Sequence, residues 1–435
     1  MPVQPVLPHV LSILPFVVLL LLIATGPIFF SHYWEKHYSV FALFLAAITA
    51  CYYIWGLNSS LAVWHAVTEY ISFILLLAAL YVVSGSILIK FDGNSNSRFN
   101  TVFLLLGAVI SNFIGTTGAS MLLIRPFIKL NRSRMRPFHV IFFIFIVSNV
   151  GGSLTPIGDP PLFLGFLKGV PFFWVLQNVW YVWLTALILI LMVFWILDRR
   201  ADLPEVEISV LKQLQSIQIK GSKNFFLLGM IILAVFLDHS VLSFVPDLHP
   251  FPLGVRELVL LGTTLYAYRY SSREVFKANE FDLSAIKEVA FLFMGIFVTM
   301  IPALQLIAFE SKQYGSELTV SHFYWGSGVL SSVLDNAPTY LNFMSGAMGK
   351  FNLDINSVSH VQQFMTFDGG FLSAISIACV FFGAMTYIGN GPNFMVKSIS
   401  ERAGIKMPSF FTYIISYSLP VLLPVFTIIW FIFFR

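Results

Sequence analysis

The sequence predicts an all-α polytopic membrane protein made of two inverted-topology repeats, each with five crossings, a re-entrant hairpin and a broken helix. Three observations carry this. Apolar residues make up 57% of the 435 residues and charged ones only 11%, about half the charged share usual in a soluble domain. Several stretches exceed the ~20 apolar residues that span a bilayer. A segment that should stop a helix also occurs twice inside apolar sequence: Thr155 to Pro161 reads TPIGDPP and Thr386 to Pro392 reads TYIGNGP. Gly and Pro break helices, and unwound backbone at bilayer depth is tolerated only where it is buried in protein or lines a cavity.

In chain order, Val10 to Phe30 is the first transmembrane helix; no Lys or Arg precedes it, and its apolar run is too long for a signal-peptide core. Further spans fall near 39–56, 61–89, 137–165 and 172–197, then 223–244, 253–270, 284–309, 367–396 and 409–434. Between the halves, 198–222 carries Asp202, Glu205, Glu207, Lys212 and Lys220 among apolar residues and reads as a partly amphipathic cytoplasmic connector. The domains are therefore residues 1–197, the connector, and 223–435. Two other apolar regions, about 100–130 and 323–349, are split centrally by polar residues, at Ser111-Asn112-Phe113-Ile114-Gly115-Thr116-Thr117-Gly118 and at Ser331 to Thr339. Arms of about 9–12 residues reach roughly half a membrane at 1.5 Å per residue, as in a re-entrant hairpin.

Charge bias fits this arrangement. With hairpins returning to the side they left, each half makes an odd number of crossings and the second half is inverted. Lys90, Arg98, Arg132, Arg134, Arg136, Arg199, Arg200, Arg269, Arg273, Lys397 and Arg402 then share the cytoplasmic side, whereas the outside loops keep Lys168, Arg256, Lys312 and Lys350. This is the positive-inside pattern, and it puts both termini outside. Cys51 and Cys379, both in apolar runs, form no disulfide framework or thiolate metal site.

Four broken elements, two hairpin tips and two interrupted helices, are placed to meet at one point, as ion-coupled carriers require. Their small polar side chains suit a hard cation such as sodium: Ser111, Asn112, Thr116, Thr117 and Thr155 with Gly158 from the first half, and Ser332, Asn336, Thr339, Thr386 and Asn390 with Gly389 from the second. Asp159 and Asp335 are the sharpest candidates, because protons and a metal cation compete for a carboxylate in a low-dielectric cleft. Sodium is assigned to Asn112, Asp159, Asp335 and Asn336. Either aspartate also reads as a helix N-cap, Asp159 because it precedes Pro160 and Pro161 at a helix start. Glu69 and Glu288 begin comparable apolar runs, and His65 lies four residues before Glu69 on the same face. These three form a candidate proton relay, against the commoner reading of snorkelling or ion-paired interfacial residues. Arg125 reads as an interfacial anchor.

The segments SNFIGTTGAS, NVGGSLTPIGDPP, SSVLDNAPT and GAMTYIGNGPN resemble the ion transporter superfamily, which holds NhaD-type sodium/proton antiporters, arsenite permeases, citrate–metal carriers and divalent-anion/sodium symporters. The resemblance covers essentially the whole chain. It implies a homodimer with a scaffold domain and a mobile transport domain moving in an elevator-like way. It places the site at Ser111, Asn112, Thr155, Gly158, Asp159, Asp335, Asn336, Thr386, Gly389 and Asn390. The dicarboxylate symporters carry Ser-Asn-Thr at each tip; this chain has Ser111-Asn112-Phe113 and Asp335-Asn336-Ala337 instead.

Acidic residues at two of the four breaks repel a di- or tricarboxylate unless a metal or proton neutralises them. The expectation is therefore a secondary transporter, a sodium/proton antiporter first, with a cation- or proton-coupled carrier of citrate or a dicarboxylate as the alternative. No HExxH or GxSxG motif points to a hydrolase, and a channel needs no two-fold broken helix. The expected setting is a cell membrane of bacterial inner-membrane type, with a lipid bilayer and a small ion or organic anion as partners, no nucleic acid and no resident cofactor beyond transported sodium and protons.

Overall fold

The computed structural model describes residues 7–93, 95–201, 216–239, 241–246, 248, 251 and 253–435. The chain begins with α1 (Leu14–Phe29), α2 (Ser31–Cys51) and α3 (Ser60–Gly85), and α2 ends in a π-turn over Tyr52–Gly56. After β1 (Leu88–Asp92) come α4 (Ser97–Leu130), α5 (Pro137–Ile146), α6 (Pro160–Leu167) and α7 (Trp174–Arg200). β2 (Ser216–Lys220) lies in the connector, and the second half opens with α8 (Asn224–Val235), α9 (Val255–Tyr270), the short α10 (Arg273–Ala278) and α11 (Ser284–Thr299). It continues with α12 (Ile301–Tyr314), α13 (Val320–Val333), α14 (Asn336–Lys350), α15 (Val358–Phe382), α16 (Gly391–Arg402) and α17 (Phe410–Phe433). Pro420 lies inside a π-helical stretch of α17, Ile414–Leu422; a proline has no N–H for the α ladder.

Among the described residues, six helices are long and apolar enough to cross a membrane, and a seventh span comes from α11 and α12, bent by 43° ahead of Pro302. The chain is thus a mostly helical, multi-pass membrane protein. One feature departs from an all-α fold. β1 and β2 pair antiparallel, Leu88 opposite Lys220 and Asp92 opposite Ser216, so the segment after α7 returns as a strand. Asp202, Glu205, Glu207 and Lys212 of the expected connector lie outside the described residues.

Of the six long helices, α4 does not run straight. Gly115 has φ 77° and ψ 153° in its middle, a left-handed conformation that glycine adopts without a Cβ penalty. The two arms fold back there. Asn100 Nδ2 donates to Asn131 Oδ1 at 2.7 Å, and Asn131 Nδ2 returns a bond to Asn100 Oδ1 at 2.9 Å. A straight helix would hold these residues about 45 Å apart at 1.5 Å per residue. α13 and α14 fold back likewise, with the Phe323 and Phe343 rings 6.2 Å apart and Lys350 Nζ donating to Leu318 O at 2.6 Å.

The base of the first hairpin is clamped by an ion cluster absent from the sequence expectations. Asp198, fully buried at the end of α7, accepts bonds from Arg134, from His139 Nε2 at 2.8 Å and from Asn100 Nδ2 at 2.9 Å. A buried carboxylate persists only with such compensation.

Both broken spans sit in the centre. Residues Val140 to Ile146 of α5 are fully buried, as are most residues of α15 between Leu372 and Phe382. At the periphery, α2, α7 and α17 expose apolar side chains such as Phe44, Trp180, Ile188, Phe411 and Phe431, the surface a lipid-facing helix presents. α3 and α11 pack antiparallel: Tyr70 meets Phe297, Phe73 stacks on Phe293 at 4.8 Å, and Tyr81 Oη donates to Asp282 O.

Candidate functional site

Both TxIGxxP segments are non-helical up to their last two residues. α5 gives way to a short 3-10 turn, Val150–Gly152, and the helix resumes at Pro160; α15 gives way at Gly383–Met385 and α16 begins at Gly391. The two breaks are folded alike. Thr155 Oγ1 donates to Asn112 O at 2.5 Å and accepts from Gly158 N at 3.1 Å. Thr386 Oγ1 donates to Ser332 O at 2.6 Å and accepts from Gly389 N at 3.0 Å. Each threonine thus hooks a hairpin tip onto its break. A Cβ on Gly158 would fall 2.1 Å from Gly152 O, and one on Gly389 would fall 2.7 Å from Gly383 O. Any side chain would push the two backbone segments of the break apart.

The first tip is locked further. Thr116 N donates to Gly158 O at 2.8 Å. Asn112 uses its whole amide on backbone: Nδ2 reaches Gly151 O at 2.6 Å, and Oδ1 accepts from Leu154 N at 2.9 Å. Ser111 Oγ lies 2.8 Å from Val147 O, and Ser331 Oγ donates to Cys379 O at 2.6 Å.

Asp159 is where the elements converge. It is 1% exposed. Its Oδ1 accepts from Thr116 Oγ1 at 2.7 Å and from Asn390 Nδ2 at 3.1 Å, and its Oδ2 accepts from Asn336 Nδ2 at 2.5 Å. Thr116 opens the second arm of α4 just past Gly115, Asp159 is the N-cap of α6, Asn336 is the first residue of α14 and Asn390 is the N-cap of α16. Four helix N-termini therefore meet at one carboxylate, and the positive end of a helix dipole favours negative charge. No Lys, Arg or His bonds to it among the described residues.

Although Asp159 occupies an N-cap position, its side chain makes no capping bond. The cap role fails for a chemical reason. A cap side chain bonds the N–H of N2 or N3; N2 here is Pro161, which has none, and the Leu162 N–H goes to Asp159 O. The side chain is released into the site. Asp335 behaves oppositely, because N2 of α14 is Ala337, whose N–H donates to Asp335 Oδ1 at 3.0 Å. Asp335 is half-buried and bonds no other element, and Thr339 Oγ1 stays local on Asp335 O at 3.0 Å.

The remaining candidates divide in the same way. Ser332 Oγ turns back to Val329 O, and Thr117 is half-buried with no side-chain bond to the cluster. Glu69 is ion-paired with Lys168 Nζ at 2.6 Å. Glu288 lies on α11, whose antiparallel packing puts it some ten residues along α3 from Glu69, about 15 Å at 1.5 Å per residue. His65 bonds neither, its carbonyl accepting from Thr68 Oγ1. These three are not gathered at Asp159. Asn112 Oδ1 and Asp335 Oδ1 each accept a backbone N–H from their own neighbourhood. Asn336 Oδ1 is different, being buried beside Asp159 without a partner. Among the described residues no three His, Cys, Asp or Glu side chains group as metal ligands.

Two asparagines that tie the breaks together went unnoticed in the sequence. Asn149 Nδ2 donates to Ile144 O at 2.8 Å and to Asn393 Oδ1 at 2.7 Å, while Asn393 Nδ2 donates to Gly383 O and Thr386 O at 2.8 and 2.9 Å. Both lie within the NVGG and GNGPN runs that flank the breaks.

Fold and site together define a polytopic membrane protein with its polar centre at two broken helices. A family model described as "Putative citrate transport" matches residues 6–434, and the chain belongs to that family. A search of curated proteins found no match.

Proposed function

We propose that the protein is a secondary active transporter that carries citrate together with a cation, sodium or a proton, held at Asp159. The observation that carries this is the convergence of four helix N-termini on one buried carboxylate with no basic partner among the described residues. The field of the N-termini draws in anions, and the carboxylate repels them. A tricarboxylate therefore enters only once a cation or proton neutralises Asp159, which makes the two loads obligatory companions. The family supports citrate as the load. Asn336 Oδ1 and the Asp159 carboxylate supply the oxygens a sodium ion needs.

Ser111, Asn112, Thr116, Thr155, Gly158, Thr386, Gly389 and Asn390 shape the walls of this site, with Asp335 capping the helix that presents Asn336 and Thr339 bonded to the Asp335 carbonyl. The inverted-repeat and elevator-like reading is supported by the antiparallel packing of α3 and α11 and by the matching threonine hooks at the two breaks. A second reading, sodium/proton exchange with no organic load, is favoured by the absence of Lys and Arg from the Asp159 shell. Vesicles containing the purified protein separate the two. Labelled citrate should accumulate under an inward sodium or proton gradient; proton movement on adding sodium alone, with no citrate uptake, would replace this reading by the exchanger.

A further inference from the structure

α6 joins two charged points. Asp159 stands at the position before its first residue and Lys168 at the position after its last, with eight helical residues between them, about 12 Å along the axis. Lys168 Nζ bonds Glu69 Oε1 of α3 at 2.6 Å and Asn356 Oδ1, in the loop between α14 and α15, at 2.8 Å. The side chains are 6% and 26% exposed, so the pair is held largely out of water, where the attraction is less screened.

Beside this pair lies a cleft of about 880 Å³, bounded by α3 residues His65, Glu69 and Ser72, the end of α6 at Phe166 and Leu167, and Arg256 of α9. The cleft is ample for a small polycarboxylate, but its charges are engaged. Arg256 holds Asp238 at 3.0 Å and Glu257 at 2.7 Å, and Glu69 holds Lys168. Glu69 contributes to the wall of the cleft, and Phe166 and Leu167 bring the far end of the helix that starts after Asp159 to its edge. At the other end of α3 the corresponding ties are loose. The loop bound to Gly85 O through Asn279 presents Glu280, 57% exposed, to Arg125 at 3.4 Å and Arg402 at 3.8 Å.

We propose that Lys168 and Glu69 form the gate between this cleft and the Asp159 site, closed in the present conformation, and that α6 separates from α3 once in each transport cycle. The proposal rests on the alternating-access reading above. A rigid α6 cannot carry Asp159 from one side to the other while its end stays fixed to α3. Lys168 and Glu69 are thus positioning residues that act on access, and they do not touch the load.

The test replaces Lys168 and Glu69 by cysteine in a chain carrying Cys51→Ser and Cys379→Ala, reconstituted in vesicles. A short bifunctional methanethiosulfonate reagent then bridges the two sites, and monodispersity in detergent confirms folding. Bridging should cut citrate uptake at least ten-fold, and a reductant should restore it. Uptake at the unbridged rate in fully bridged protein would overturn the gate. A second readout uses charge: Lys168→Glu and Glu69→Lys should each impair uptake several-fold, with the double exchange recovering most of it, and no recovery would count against the pair. A wild-type protein that moves no citrate would instead sink the function reading, so the two failures are distinguishable.

Discussion

Replacing Asp159 by asparagine or by alanine separates its structural role from its chemical one. In Asp159→Ala the Thr116 hydroxyl and the Asn336 amide lose their buried acceptor, while Asn390 Nδ2 keeps Ser148 O and Asn149 Oδ1 at 3.1 and 3.2 Å. Two stranded donors at roughly 1–3 kcal/mol each give a loss of about 2–6 kcal/mol. In Asp159→Asn the new carbonyl still accepts from Thr116. The new amide nitrogen faces Asn336, whose side chain turns over so that its unpartnered Oδ1 accepts the bond. The net cost is within about 1 kcal/mol. Thermal unfolding in detergent, compared as a rank order because such unfolding is irreversible, should place Asp159→Asn near wild type and Asp159→Ala several degrees below. An asparagine variant that unfolds with or before the alanine variant would refute this account of the hub.

Three further outcomes follow from the geometry. Asp198→Ala removes the buried carboxylate that Arg134, His139 and Asn100 share and should destabilise by about 3–5 kcal/mol, read as early unfolding or loss of monodisperse protein. Gly158→Ala, whose Cβ would sit 2.1 Å from Gly152 O, should disrupt the break and stop uptake, whereas Gly391→Ala, with nothing within 4 Å, should behave as wild type. A double-mutant cycle of Asn149→Ala and Asn393→Ala should show a coupling of roughly 0.5–3 kcal/mol across their 2.7 Å bond.

The membrane class, the two breaks and the hairpin turns were legible because each rests on a local pattern. A Gly-Pro interruption in an apolar run marks a break, and Gly115 marks a fold-back. That Thr116, Asp159, Asn336 and Asn390 come together was legible as a set of positions more than as a set of roles. Asp159 and Asp335 looked alike in sequence. Their difference lies in whether the residue two places on has an N–H, Pro161 against Ala337, and that was readable from the chain alone. What stayed hidden is what sequence spacing does not encode. The Asn149–Asn393 tie spans 244 positions, Lys168 meets Glu69 across 99, and Asp198 gathers Arg134, His139 and Asn100 from separate elements. The β1–β2 ribbon pairs the end of the first half's α3 region with the connector, and its five-residue strands are too short to stand out.

The central claim is that Asp159 couples the cation to the carried anion. Its most direct test is the accumulation ratio of labelled citrate in vesicles under an imposed inward gradient, wild type against Asp159→Asn. Wild type should concentrate citrate well above the external level while the gradient lasts, and the folded asparagine variant should not exceed equilibration. Gradient-driven accumulation by Asp159→Asn equal to that of wild type would contradict the claim.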